Sequence, residues 1–173
     1  MAVLVPTFDN ITYPEYGNFN IRGERADIKL LELIDFVGKQ AGLSVRELYM
    51  FGYGTGGDFV HRFVMSHPKR IARAAFEALE FTKPDPEYMF PRGLTKTPLA
   101  LDIDIDMYSF LKTDMMLITR KESPSLKESK NFAEAIQSYA DVQGIKSRLV
   151  TRSVDVKFEI WNEAEKYLFA YDY

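Results

Sequence analysis

The feature that most constrains this chain is Leu48-Tyr49-Met50-Phe51-Gly52-Tyr53-Gly54-Thr55-Gly56-Gly57, where an apolar run stops at a cluster of glycines and an amphipathic run begins. Phe59, Phe63, Val64 and Met65 follow on the far side. A strand, a sharp turn and a helix launched from that turn account for the pattern.

The rest of the chain alternates in the same βα manner. Ala2-Val3-Leu4-Val5, stopped by Pro6, reads as a short strand buried on both faces. A turn-rich segment from Thr7 to Gly23 precedes a helix whose apolar residues Ile28, Leu31, Ile34 and Val37 recur at helical spacing, with Gly42 as its stop. The turn strand and its helix come next, ending near His67. Ile71 to Leu79 is the following strand, despite its alanines. Phe81 to Gly93 is irregular, crowded with proline and aromatics. Met115 to Thr119 and Ser147 to Arg152 read as strands, Leu126 to Gln143 as a helix with Phe132, Ile136 and Tyr139 on one face, and Glu159 to Tyr171 as a closing helix. Strands separated by helices imply a three-layer α/β fold, with a mostly parallel sheet of about five strands, right-handed crossovers and helices on both faces. The length of 173 residues suits one domain over the whole chain.

Phe51 to Ala75, FGYGTGGDFVHRFVMSHPKRIARAA, resembles the nucleophile turn and following helix of the α/β-hydrolase superfamily. There the turn runs G-x-S-x-G-G and the helix closes on H-P-x-R-[IV], which His67-Pro68-Lys69-Arg70-Ile71 matches. A Rossmann-like turn is the competing reading, and it would cradle a phosphate at the helix N-terminus. No G-x-G-x-x-G or Walker pattern follows from these glycines, however. The hydrolase resemblance implies that residues 1–173 form the C-terminal half of that fold, with the first strands missing. The strand and loop that supply one oxyanion-hole donor are then missing too.

The resemblance also assigns three positions where the catalytic residues would stand. The frame falls as Gly52-x-Gly54-x-Gly56, so Gly54 occupies the position of the nucleophilic serine. In Met116-Leu117-Ile118-Thr119-Arg120-Lys121-Glu122 the acidic position falls on Glu122, within a charged run that reads equally well as a solvated face. The histidine position, in Ser153-Val154-Asp155-Val156-Lys157-Phe158, is filled by Val156, and no histidine follows His67. Loss of the nucleophile alone costs serine enzymes of this kind about a million-fold in turnover. Thr55, beside the vacated position, reads as a helix cap satisfying an early backbone N–H.

Other chemistry-bearing residues offer little. His61 and His67 lie six residues apart on the same helix, hence on different faces, and cannot form an i, i+4 metal pair. Asp102-Ile103-Asp104-Ile105-Asp106 resembles the start of a calcium loop, but Met107 and Thr113 stand where glycine and glutamate are needed. It reads better as a half-buried extended segment with the aspartates outward. No metal site and no cofactor is expected. The aromatic cluster Phe81, Tyr88 and Phe90 among Pro84, Pro86 and Pro91 resembles the loop over the substrate pocket of related hydrolases. Together with Gly52, Tyr53, Gly54 and Thr55, Tyr88 and Phe90 are candidate ligand contacts in a residual pocket.

A net charge of -3 carries no basic footprint, so nucleic acid is not expected as a partner. Cysteine is absent, which removes disulfides, thiolate metal sites and a cysteine nucleophile. No apolar run reaches membrane-spanning length and the N-terminus lacks a signal-peptide pattern, so a cytoplasmic location is expected. The expectation is a catalytically inactive α/β-hydrolase-like protein that acts as a binding or structural subunit, with a protein partner or self-association through exposed sheet edges. The alternatives are a small-ligand binder using the residual pocket, or an ester or peptide hydrolase completed by a partner chain.

Overall fold

The computed structural model describes residues 2–100 and 102–170. Four parallel strands form one sheet in the order β1-β2-β3-β4, with β1 (Leu48–Gly54), β2 (Ile71–Ala78), β3 (Asp114–Arg120) and β4 (Leu149–Val154). Each connection between neighbouring strands carries a helix: α2 (Thr55–Ser66), α3 (Met107–Lys112) and α4 (Leu126–Val142), while α1 (Ala26–Ala41) precedes the sheet and α5 (Lys157–Leu168) closes the chain. The α/β class and the parallel order are those expected, with four strands rather than about five. Ala2 to Val5 lies outside the sheet, with Val3 77% and Val5 82% exposed. Four apolar residues make a strand only where they pair with a sheet edge, and this run pairs with neither β1 nor β4.

Strand alternation sorts the core into two layers. Ala74, Phe76 and Ala78 of β2 and Met115 and Leu117 of β3 pack with α1 to α4 through Leu30, Ile34, Phe63, Phe110, Phe132 and Ile136. The other face carries Ala75, Met116 and Ile118, covered by Ile160, Ala164 and Leu168 of α5. The sheet is therefore clad by four helices on one side and by one on the other. β2 is a strand in spite of its alanines because it is central and buried on both faces; small side chains are what let α2 approach it.

Details differ from the sequence reading where packing overrides periodicity. The buried stripe of α1 is Ala26, Asp27, Leu30, Ile34 and Gly38, so Ile28 and Val37 face outward. Asp27 turns inward to take two hydrogen bonds from Arg25 and one contact from His67. On α4, Ala140 rather than Tyr139 completes the buried face of Phe132 and Ile136. The helix α3 was not signalled by periodicity; Asp106 starts it by accepting the backbone N–H and the hydroxyl of Ser109. Ile103 is buried and Asp102 and Asp104 are exposed, as the alternating pattern implied. The closing helix ends at Leu168, and its expected last residue, Tyr171, lies outside the described residues.

Candidate functional site

The turn between β1 and α2 sits at the carboxyl end of the sheet, where α/β folds place their ligands. Gly54 has φ 59 and ψ -126, a conformation that a side chain strains to adopt. A Cβ built there meets nothing within 4 Å, so a side chain at position 54 would stand clear above the sheet. That is the backbone geometry a nucleophile turn requires. The flanking glycines do a different job. A Cβ at Gly52 would collide with the carbonyl of Gly56, and one at Gly57 with the carbonyl of Glu77, so these two glycines let α2 lie directly on β1 and β2. Thr55 is the first helical residue, so the capping position falls on Gly54, which has no side chain to cap with, and not on Thr55. Its methyl packs instead on Gly17 of the turn Tyr16–Asn18, 2.8 Å from where a Cβ there would stand.

A buried polar chain lies beside the turn. The N–H of Gly54 donates to Oε2 of Glu77 at 3.3 Å, and Glu77, on β2, is 1% exposed. Arg120, at the end of β3, donates to the other carboxylate oxygen of Glu77 at 3.5 Å and to the hydroxyl of Ser123 at 3.4 Å. Ser123 and Ser125 share a hydrogen bond at 2.8 Å, and Ser129 donates to the Ser125 carbonyl at 2.9 Å. The charged run Arg120-Lys121-Glu122 is thus split: Arg120 turns inward, while Lys121 pairs with Asp155 at 2.7 Å. Sequence reasoning missed Glu77, Arg120, Ser123 and Ser125. The one available signal was a lone carboxylate inside the apolar strand Ile71–Ala78.

No family model matches the sequence, and no curated protein matches it. Solved structures do. A poly(aspartic acid) hydrolase-1 from Sphingomonas sp. KT-1 superposes with a TM-score of 0.77 at 20% identity, over 94% of this chain and 74% of that one. The chain has the α/β-hydrolase fold. A poly(3-hydroxybutyrate) depolymerase from Bordetella parapertussis gives 0.73 at 19% identity, over 92% of this chain and 64% of its own length, and a Bacillus cereus carboxylesterase gives 0.52 at 10%. The chain therefore spans between about two thirds and three quarters of the first two structures it resembles.

Placed in the α/β-hydrolase fold, the three assigned positions have different fates. Gly54 holds the elbow. Glu122 is exposed just beyond β3, outside the buried chain that begins at its neighbour Arg120. Val156, 42% exposed, precedes α5 and leaves its N–H to Glu159 Oε2 at 3.3 Å. The two histidines have structural partners. His61 is fully buried between Nδ1 donating to the Gly57 carbonyl and Nε2 accepting the N–H of Thr82, at 3.1 and 3.0 Å. Burial, and then the adjacent Arg62 charge, hold its pKa well below the ordinary histidine value, so it stays neutral. His67 contacts Asp27 at 2.8 Å; burial works to raise the Asp27 carboxyl, but the hydrogen bonds from His67 and Arg25 prevail and keep it below the usual range. Arg62 is also fully buried, donating to Thr82, Gly17 and Asp58, and burial pushes its pKa down to about 10.

The six candidate ligand contacts have different surroundings. Tyr53 lies under two cations, with Lys157 at 4.7 Å and Arg120 at 5.9 Å from its ring centre. Tyr88 is exposed on the irregular segment. Phe90 is buried and lines a cavity of about 580 Å³ that none of the other five touches. Among the described residues no cluster of histidine and carboxylates suits a metal ion, and no helix is long and apolar enough to cross a membrane.

Proposed function

We propose that this chain is a non-catalytic protein on an α/β-hydrolase fold, working in the cytoplasm as a binding or structural subunit of a larger assembly. The observation that supports it is the elbow itself: a turn shaped to present a side chain, with glycine at its apex. A serine-type reaction needs a nucleophile, a base for its proton and donors for the oxyanion. The resemblance puts Val156 at the position of the base, and both histidines are engaged, His61 by two backbone hydrogen bonds and His67 by the Asp27 carboxylate. Nor does the elbow offer a free anion site at Gly54, since its N–H already faces the Glu77 carboxylate.

The assembly role is supported by the open side of β1. It has no strand partner beyond β2 in the described sheet, and Tyr49 on its thinly covered face is 56% exposed. A second reading, a hydrolase completed by another chain, is favoured by the neighbours, which are named as a hydrolase, a depolymerase and a carboxylesterase. The deciding experiment is the native mass of the purified protein by light scattering, with turnover of p-nitrophenyl butyrate measured on the same fractions. An oligomer or complex without turnover supports the proposal. Turnover that follows a copurifying partner would establish the second reading, and a monomer binding nothing would refute both.

A further inference from the structure

The two edges of the sheet are not alike. β4 presents Thr151, Arg152 and Ser153 to solvent, and a charged side chain on an edge discourages pairing. β1 carries no charge from Leu48 to Gly54, and its only ladder is the one with β2. The chain also holds a strand without a sheet: Ala2 to Val5 enters no backbone hydrogen bond among the described residues, and Val3 and Val5 are exposed. Building on the assembly role, which this inference requires, we propose that two copies of the chain exchange these parts, Ala2 to Val5 of each copy adding as a strand to the open edge of β1 in the other.

The segment fits that edge on both faces. Side chains alternate along a strand, so Val3 and Val5 share one face and Ala2 and Leu4 the other. β1 is apolar on both: Tyr49, Phe51 and Tyr53 lie toward α5, and Leu48 and Met50 pack on the larger core. β-branched residues beside aromatic ones are favourable cross-strand neighbours. Helix α1 could serve as the crossover that brings the segment to β1 of its own chain, but the structure holds the segment elsewhere. Phe8 is seated on Tyr13, Tyr16 and Phe59, with ring centres 5.3, 5.2 and 5.5 Å away. A second copy meets both needs at once, whereas direct pairing of two β1 strands would leave Val3 and Val5 in water. The exchange also closes. Each copy gives one strand and receives one, so a two-fold pair leaves no free segment and no free β1 edge. Pro6, which has no N–H, ends the added strand and limits pairing beyond it.

The test is light scattering on the full chain together with cross-linking, for which the absence of cysteine gives a clean background. The wild-type protein is expected at twice the 20.0 kDa of one chain, and the double variant Val3→Lys with Val5→Lys at the mass of one chain. Both substituted residues are exposed, so that variant keeps the wild-type circular dichroism. When Val3→Cys and Tyr49→Cys chains are coexpressed, a short bismaleimide is expected to join one to the other. A monomeric wild type would overturn the exchange, and with no copurifying partner it would overturn the assembly role as well. An oligomer that survives Val3→Lys with Val5→Lys but is lost in Tyr49→Lys would overturn the exchange alone, leaving β1 to another occupant. So would cross-linking of Tyr49→Cys chains only to one another, or cross-linking confined to single chains that carry both Val3→Cys and Tyr49→Cys.

Discussion

At Gly54 a sharp strand-to-helix turn carries only a hydrogen atom at its apex. Because a Cβ there meets open space, Gly54→Ser should fold, and its cost is the backbone strain of a non-glycine residue at φ 59, about 1 to 3 kcal/mol. Introducing the hydroxyl alone should give no measurable hydrolysis of p-nitrophenyl butyrate, because His61 and His67 are both engaged by other partners. Turnover above background in this variant would reveal a base that the arrangement of His61 and His67 does not supply. His61 gives a second residue-scale prediction. Its folded pKa is depressed and its unfolded value is ordinary, so below about pH 6.5 the unfolded chain binds the extra proton and stability falls with pH, by up to about 1.4 kcal/mol per pH unit. Urea midpoints between pH 7.5 and pH 5.5 test this. The decline should shrink in His61→Leu, whatever that variant's stability at neutral pH, and an equal slope in both proteins would exclude His61 as its source.

At the scale of elements, the contact of α2 with β1 and β2 carries the site, and its glycines are not equivalent. Gly57→Ala forces a methyl against the Glu77 carbonyl and should cost about 3 kcal/mol, whereas Gly56→Ala meets nothing within 4 Å and should stabilise by about 0.5 to 1 kcal/mol. Chemical denaturation of the two variants side by side separates these outcomes, and equal effects would mean that α2 does not ride on the strands as described. This joint was legible in the sequence because the strand, the glycine cluster and the helix are contiguous. The strands β2, β3 and β4 and the helix α4 were legible for a related reason, their apolar patterns being long enough to set a period. Ala2 to Val5 misled because apolarity names no partner, and α3 was hidden because six residues are too few for a period. The polar chain from Gly54 to Ser129 was not legible at all. It depends on the parallel register that sets Tyr53 opposite Glu77, and on Arg120 arriving from a third strand, and neither is local in sequence.

For the molecule as a whole, the uneven cladding of the sheet decides where another chain would sit. Four helices cover one face, whereas α5 alone covers the other and reaches β1 through Trp161 against Phe51 at 5.2 Å and Lys157 over Tyr53 at 4.7 Å, with Phe169, just beyond the helix, against Tyr49 at 5.9 Å. Trp161 and Tyr49 remain about half exposed, 45% and 56%, beside an edge whose outer hydrogen-bonding groups face no strand of the described sheet. A strand added there would satisfy the ladder and cover these rings in one step, which is why association through β1 is favoured over association through the polar surface of α4. Tyr49→Lys places a charge in that interface without touching the core. It should leave the melting temperature within about 2 °C of wild type, since exposed substitutions away from special features change stability by about 0.5 kcal/mol or less. The light-scattering mass should nevertheless fall to that of the 20.0 kDa chain, or the copurifying partner should be lost. A variant that keeps the wild-type assembly would move the interface away from β1, and with it the reason for reading this sheet edge as functional.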